Sequence, residues 1–134
     1  MIINSFDCDG VITLGIYPGK DDIIITGRSF EETNVTLEML RLKGIFNDVY
    51  FNPLPFNSKT RKSSGEHKAN VIFDLFKKGV IINIHIDDDP IQLTEINSMI
   101  MKNSLPTKTI FVDHGGLEEL ENVRRDKFGK PIHV

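Results

Sequence analysis

The chain has 134 residues and a formal net charge of −3, with 40% hydrophobic and 26% charged residues. That length suits a single domain over 1–134 with a real core, and the ordinary composition excludes disordered, collagen-like and low-complexity classes. One cysteine excludes an internal disulfide or a multi-cysteine metal centre, and the mildly acidic balance exerts no global pull on nucleic acid.

No apolar run approaches the roughly 20 residues of a membrane span, and no cationic stretch precedes a signal core. A reducing, cytoplasmic setting without a membrane partner is therefore expected. In chain order, β-branched apolar runs at residues 2–6, 23–25 and 80–86 predict strands, and weaker runs at 49–51 and 109–112 add two more. Several lack clean alternation, as strands of a parallel sheet covered on both faces do. Residues 11–22 suffice only for a hairpin flap turning at Pro18-Gly19. Ser29 with Glu32 reads as a capping box, and Gly44 offers a left-handed stop. Val35, Leu37, Met39, Leu40 and Leu42 would form the buried stripe of that helix. A second box, Ser63 with Glu66, starts a helix through Val71, Ile72, Leu75 and Phe76 to Gly79. Asp89 caps a third, with Pro90 at its first position and Leu93, Ile96 and Ile100 inward. Residues 117–128 predict a last helix. Strands alternating with helices predict an α/β fold, a three-layer, Rossmann-like, mostly parallel five-stranded sheet.

Ligands of such sheets collect beyond the carboxyl ends of the strands. The residues found there are Asp7-Cys8-Asp9-Gly10, Thr26-Gly27-Arg28 and Asp87-Asp88-Asp89. Acids from two strand ends in one cleft would raise their own pKa values or recruit a cation, and an all-oxygen donor set suits Mg²⁺. An EF-hand loop is excluded because Val11 and Ile12 stand where an oxygen ligand and glycine are needed. His67, His85 and His114 have no zinc spacing, and Cys8 reads as packing. The Thr26 hydroxyl can donate to a phosphate oxygen, Gly27 lets backbone approach, and Lys68 can neutralise a transferring group, so the set suits phosphoryl transfer. Taken singly, Asp-x-Asp-Gly is a turn, Thr26-Gly27 a strand-to-helix connection and Lys68 a solvated helix residue.

Taken in order, Phe6-Asp7-Cys8-Asp9-Gly10-Val11-Ile12, Ile25-Thr26-Gly27-Arg28, Lys68 and Ile86-Asp87-Asp88-Asp89 resemble motifs one to four of the haloacid dehalogenase (HAD) superfamily of phosphohydrolases. Receiver domains carry similar residues in a different order. The resemblance implies a sheet order of 5-4-1-2-3. It makes Asp7 the nucleophile that forms an aspartyl-phosphate, Asp9 the general acid and base, and Thr26 and Lys68 the remaining catalytic groups. Gly27 and Arg28 fall at substrate-binding positions. It also implies Mg²⁺ held by Asp7, the Asp9 carbonyl and an acid of motif four, with Asp88 at the usual ligand position and Asp87 before it. An aspartate at position 9 accompanies phosphatases and phosphomutases rather than dehalogenases. Gln92 departs from the family, which commonly has a second acid there.

No cap domain fits between these motifs, so an open site is expected. Such a site suits a nucleic-acid end or phosphoprotein, or a small sugar phosphate if the chain is a homo-oligomer. Lys59, Arg61 and Lys62 form either a solvated loop or a patch for an anionic polymer. The layout resembles both the phosphatase domain of phage polynucleotide kinase-phosphatases and the tetrameric sugar-acid phosphatases. Asn52 after the third strand is a further candidate substrate contact. His114-Gly115-Gly116 reads equally as a tight turn or a site element. A catalytically weak or inactive phosphate-binding module is the alternative to an enzyme.

Overall fold

The computed structural model describes residues 1–115, and the predicted helix over 117–128 lies outside them. Strand and helix alternate as β1 (Ile2–Phe6), β2 (Ile23–Ser29), α1 (Thr33–Leu42), β3 (Val49–Asn52), α2 (Arg61–Lys77), β4 (Ile81–Asp87), α3 (Pro90–Asn103) and β5 (Lys108–Phe111). All five strands pair in parallel in the order β3-β2-β1-β4-β5, which counted from the opposite edge is 5-4-1-2-3. β1 is therefore central, and the chain leaves it for β2 on one side and later for β4 on the other. The crevice where the order reverses opens at its carboxyl end.

Successive strand side chains point to opposite faces, which divides the isoleucines between two cores. Ile3, Ile23, Ile25 and Ile82 pack with Ala69 and Ile72 of α2 and Leu93 and Ile96 of α3. On the other face Phe6 and Ile24 meet Leu40, Ile45, Cys8, Val11 and Ile12. No described helix is long and apolar enough to cross a membrane.

Four local expectations are corrected. Residues 11–22 form no hairpin: Val11 precedes the 3-10 turn Ile12–Leu14, Val11 and Ile12 are fully buried, and the chain turns at Gly19, whose amide donates a hydrogen bond to the Asp22 carboxylate. The need to cover β1 with apolar side chains pulls this segment under rather than letting it stand up as a flap. β2 runs on through Thr26-Gly27-Arg28 to Ser29, with an irregular register between Ile25 and Ser29, so motif two ends the strand rather than following it. The Ser29–Glu32 box exists but caps a 3-10 turn over Phe30–Glu32, and α1 starts after it with Leu37 and Leu42 exposed while Thr36 and Leu40 face inward. α2 begins three residues earlier than Ser63 implies, because Thr60 is the cap and Ser63 its reciprocal partner. By contrast, Asp89 caps α3 as read, accepting from the Ile91 amide at 2.9 Å beside Pro90.

α2 and α3 cross closely at Gly65. A β-carbon there would lie 2.8 Å from Gln92 Cα and 3.0 Å from the Gln92 carbonyl oxygen, both backbone atoms that cannot swing aside. On a free helix, glycine to alanine gains about 1 kcal/mol. Here Gly65→Ala is expected to lower the urea midpoint instead, because overpacking costs about 1–3 kcal/mol. An unchanged or raised midpoint would show that the helices separate freely.

Candidate active site

The cleft grows from the ends of the central strands. β1 passes its last hydrogen bond from the Asp7 amide to the Ile86 carbonyl (2.9 Å), which sets the end of β1 beside the end of β4. Carboxylate oxygens of Asp7, Asp87 and Asp88 then fall within 4.8 Å of one another. Gly10 makes this approach feasible. Its φ of +79° is left-handed, and a β-carbon on it would sit 1.9 Å from Asp88 Oδ2.

Lys68 comes from the second turn of α2 and is completely buried, with Nζ 2.9 Å from Asp7 Oδ1 and 2.7 Å from Asp87 Oδ2. Burial opposes its charge, but Asp7 and Asp87 outweigh burial and hold the ammonium above the usual lysine range. Asp87 is held well below the ordinary carboxylate range despite burial, chiefly by Lys68 and then by His85. Asp7 goes the other way: burial, then repulsion from Asp87, raises it well above the usual range. Three carboxylates thus share one buried ammonium at the floor of the cleft.

The oxygens are not equally free. Asp87 Oδ2 accepts from Lys68 and from His85 Nε2 (2.9 Å), and Oδ1 accepts from the Asp89 amide at 3.1 Å. Asp7 Oδ1 accepts from the Cys8 amide (2.8 Å) as well as Lys68. Asp88 lines the cleft and meets His114 Nε2 at 2.9 Å through Oδ2. An all-oxygen donor set of this kind suits a hard cation such as Mg²⁺ or Ca²⁺ better than Zn²⁺, which prefers nitrogen and sulfur.

Asp9 and Arg28 stand opposite. The nearly buried guanidinium grips Asp9 with a two-pronged fork, Nε to Oδ2 at 2.9 Å and a terminal nitrogen to Oδ1 at 2.8 Å, and its other arm donates to Thr36. Arg28, a candidate substrate contact, is thus engaged by the candidate acid. Thr26 is buried, and its Oγ1 accepts from the Arg28 amide, which leaves the hydroxyl hydrogen to donate elsewhere. Gly27 lines the cleft beside Ser64, whose Oγ would lie 2.8 Å from a β-carbon at Gly27.

The cleft has a volume of about 810 Å³. Asp7, Asp9, Gly27, Arg28 and Asp88 line it, whereas Thr26, Lys68 and Asp87 stand behind the surface. Lys59 and Arg61 are at the mouth, but Lys59 pairs with Glu32 (3.2 Å) and Arg61 with Asp89 (2.6 Å), while Lys62 is exposed. Asn52 is buried against Ser64 rather than open to the cleft.

Sequence reasoning gives Asp89 only the role of helix cap, whereas it lines the cleft in addition to capping α3, and it misses Ser64. It also missed Ser5 and His85, both fully buried behind the acids. Their signal was available, since a polar residue inside an apolar strand must find a buried partner. No family model, curated protein or solved structure matches this chain. The resemblance to HAD phosphohydrolases accordingly rests on the motif residues of the sequence.

Proposed function

We propose that the chain is a Mg²⁺-dependent phosphomonoester hydrolase of the HAD type, acting through an aspartyl-phosphate on Asp7. The observation that carries this reading is the meeting of Asp7, Lys68, Asp87 and Asp88, from three separate stretches of chain, at one end of the sheet. Mg²⁺ held by Asp7, Asp88 and the Asp9 carbonyl would offset both the residual charge of the cluster and that of the phosphoryl group. Asp87 has both oxygens engaged, by Lys68, His85 and the Asp89 amide, and serves as the counter-ion of Lys68.

Asp7 Oδ1 is tied to Cys8 and Lys68, so Oδ2 is the oxygen left to attack phosphorus. Thr26 and Gly27 supply hydrogen-bond donation and backbone approach for phosphate oxygens, and Lys68 balances the charge of the Asp7 carboxylate. Asp9 takes up a proton from solvent as the fork opens, gives it to the leaving oxygen and then takes the proton of the hydrolytic water. To do so it must release an arm of Arg28, whose attraction to the substrate's own negative charge would help free it.

That same fork favours a second reading, a module that binds phosphate without hydrolysing it, because Asp9 as held has no free oxygen. The pairing of Lys59 and Arg61 with acids reduces the positive potential of the mouth and favours a small phosphate ester over a nucleic-acid end as substrate. The test is release of phosphate from an aryl phosphate with Mg²⁺, its loss on chelation and its recovery on adding Mg²⁺ back. Tight phosphate-ester binding without turnover across sugar phosphates, nucleotides, phosphopeptides and phosphorylated oligonucleotides would establish the second reading instead.

A further inference from the structure

Behind the cleft, four completely buried polar side chains form a line across three elements: Ser5 on β1, His85 and Asp87 on β4, and Lys68 on α2. Ser5 Oγ lies 2.7 Å from His85 Nδ1, and His85 Nε2 lies 2.9 Å from Asp87 Oδ2. The same Asp87 oxygen is 2.7 Å from Lys68 Nζ, and Lys68 continues to Asp7 Oδ1 at 2.9 Å. The strand register brings Ser5 opposite His85, and the two-residue spacing of His85 and Asp87 puts both on the α2 face of β4.

The hydrogens on this line are set by its ends. An ionised carboxylate only accepts, so His85 Nε2 must carry a hydrogen, and a neutral ring then presents a bare Nδ1 to the Ser5 hydroxyl. Burial disfavours a second proton on the ring. We propose that His85, held in its Nε2–H form by the Asp87 carboxylate and steadied at Nδ1 by the Ser5 hydroxyl, is a positioning residue that anchors Asp87 so that the Lys68 ammonium stays aimed at Asp7. This rests on the phosphatase reading in that its consequence is catalytic, although the anchoring itself is structural.

The physical need is specific. Lys68 ends a flexible four-carbon stem, and its two acceptors are Asp7 and Asp87. When Asp7 forms a bond to phosphorus it loses negative charge, and Asp87 becomes the stronger of the two attractions. Asp87 must then be immobile, or Lys68 moves away from the reacting group with it. The Asp89 amide fixes one Asp87 oxygen, and His85 is the group besides Lys68 that fixes the other. Misplacements of about 1 Å in such a site cost up to about a hundredfold in rate.

His85→Leu removes the donor at similar bulk and His85→Gln returns an N–H close to the position of Nε2. On an aryl phosphate with saturating Mg²⁺, His85→Leu is expected to lower kcat about ten- to hundredfold with KM changed less than about twofold. His85→Gln is expected to recover most of that loss. A raised KM at unchanged kcat, or a folded glutamine variant no better than leucine, would overturn the proposal. Nitrogen-15 NMR of the wild type supplies a readout without turnover. His85 is expected as the neutral Nε2–H form at pH 7, and as a mixture of tautomers in Asp87→Asn, whose amide can accept or donate. An Nδ1–H or doubly protonated ring overturns the proposal even in an active enzyme. If no phosphate is released, the phosphatase reading fails, while the Nε2–H signature and its weakening in Asp87→Asn still support the anchoring.

Discussion

Asp7→Asn is expected to abolish phosphate release, by at least about a thousandfold, and at the same time to make the metal-free protein more stable at neutral pH. The two effects have one cause. In the folded chain Asp7 is buried beside Asp87 and Asp88, and its carboxyl is raised well above its ordinary value. An asparagine keeps the useful contacts: its Oδ1 accepts from the Cys8 amide and Lys68, and its Nδ2 can donate to Asp88. It removes only the charge. The gain is read as a higher Tm of the metal-free variant at pH 7.

The pH dependence gives the sign independently. A raised carboxyl binds its proton more tightly in the folded state, so it weakens the protein as pH climbs from the ordinary carboxylate range through its folded value. The stability gap between Asp7→Asn and wild type should thus be near zero at about pH 4 and widen toward pH 7. Mg²⁺ should close it from the other side. Ligand at a hundred times its dissociation constant adds about 2.7 kcal/mol to a protein that binds it, and the variant lacks a principal ligand. Melting curves with and without Mg²⁺ at two pH values decide the matter. A variant less stable than wild type in chelator at pH 7 would mean that Asp7 is a well-compensated structural acid and not a strained nucleophile.

Much of the fold was legible because the strands announce themselves twice, by β-branched content and by the polar residues that end them. Carboxylates of Asp7, Asp87 and Asp88 meet at one end of the sheet, since a parallel sheet puts all its strand ends on one side. What stayed hidden depended on contacts distant in sequence. Nothing near Arg28 reveals that its fork closes on Asp9, nineteen positions away. Nor does the composition of the mouth show that Glu32 and Asp89 offset two of its cations. Thr60 and Ser63 are both competent caps, and choosing between them requires knowing where the α2 axis meets α3 at Gly65. Val11 and Ile12 were assigned to a flap by segment length, whereas the uncovered face of β1 claims them for the core.

Lys68→Met should be the most damaging single change in the chain. Methionine matches the stem of lysine in bulk, so little packing is lost, but three neighbouring acids are left with no buried cation. Breaking a buried ion pair by removing one partner costs about 3–5 kcal/mol, a large share of the stability of a domain this small. Two further measurements separate charge from packing. Lys68 is the chief cause that holds Asp87 ionised, and without it burial drives that carboxyl upward. The variant should therefore gain stability as pH falls from 7 toward 5, and it should gain more from Mg²⁺ than wild type does. The double variant Lys68→Met/Asp87→Asn should regain most of the loss while remaining inactive, because neutralising both partners removes the penalty but not the need for a cation beside Asp7. If Lys68→Met instead unfolds at the wild-type urea midpoint at pH 7, the ammonium does not hold these acids together, and the site assembled around Asp7 loses its electrostatic basis.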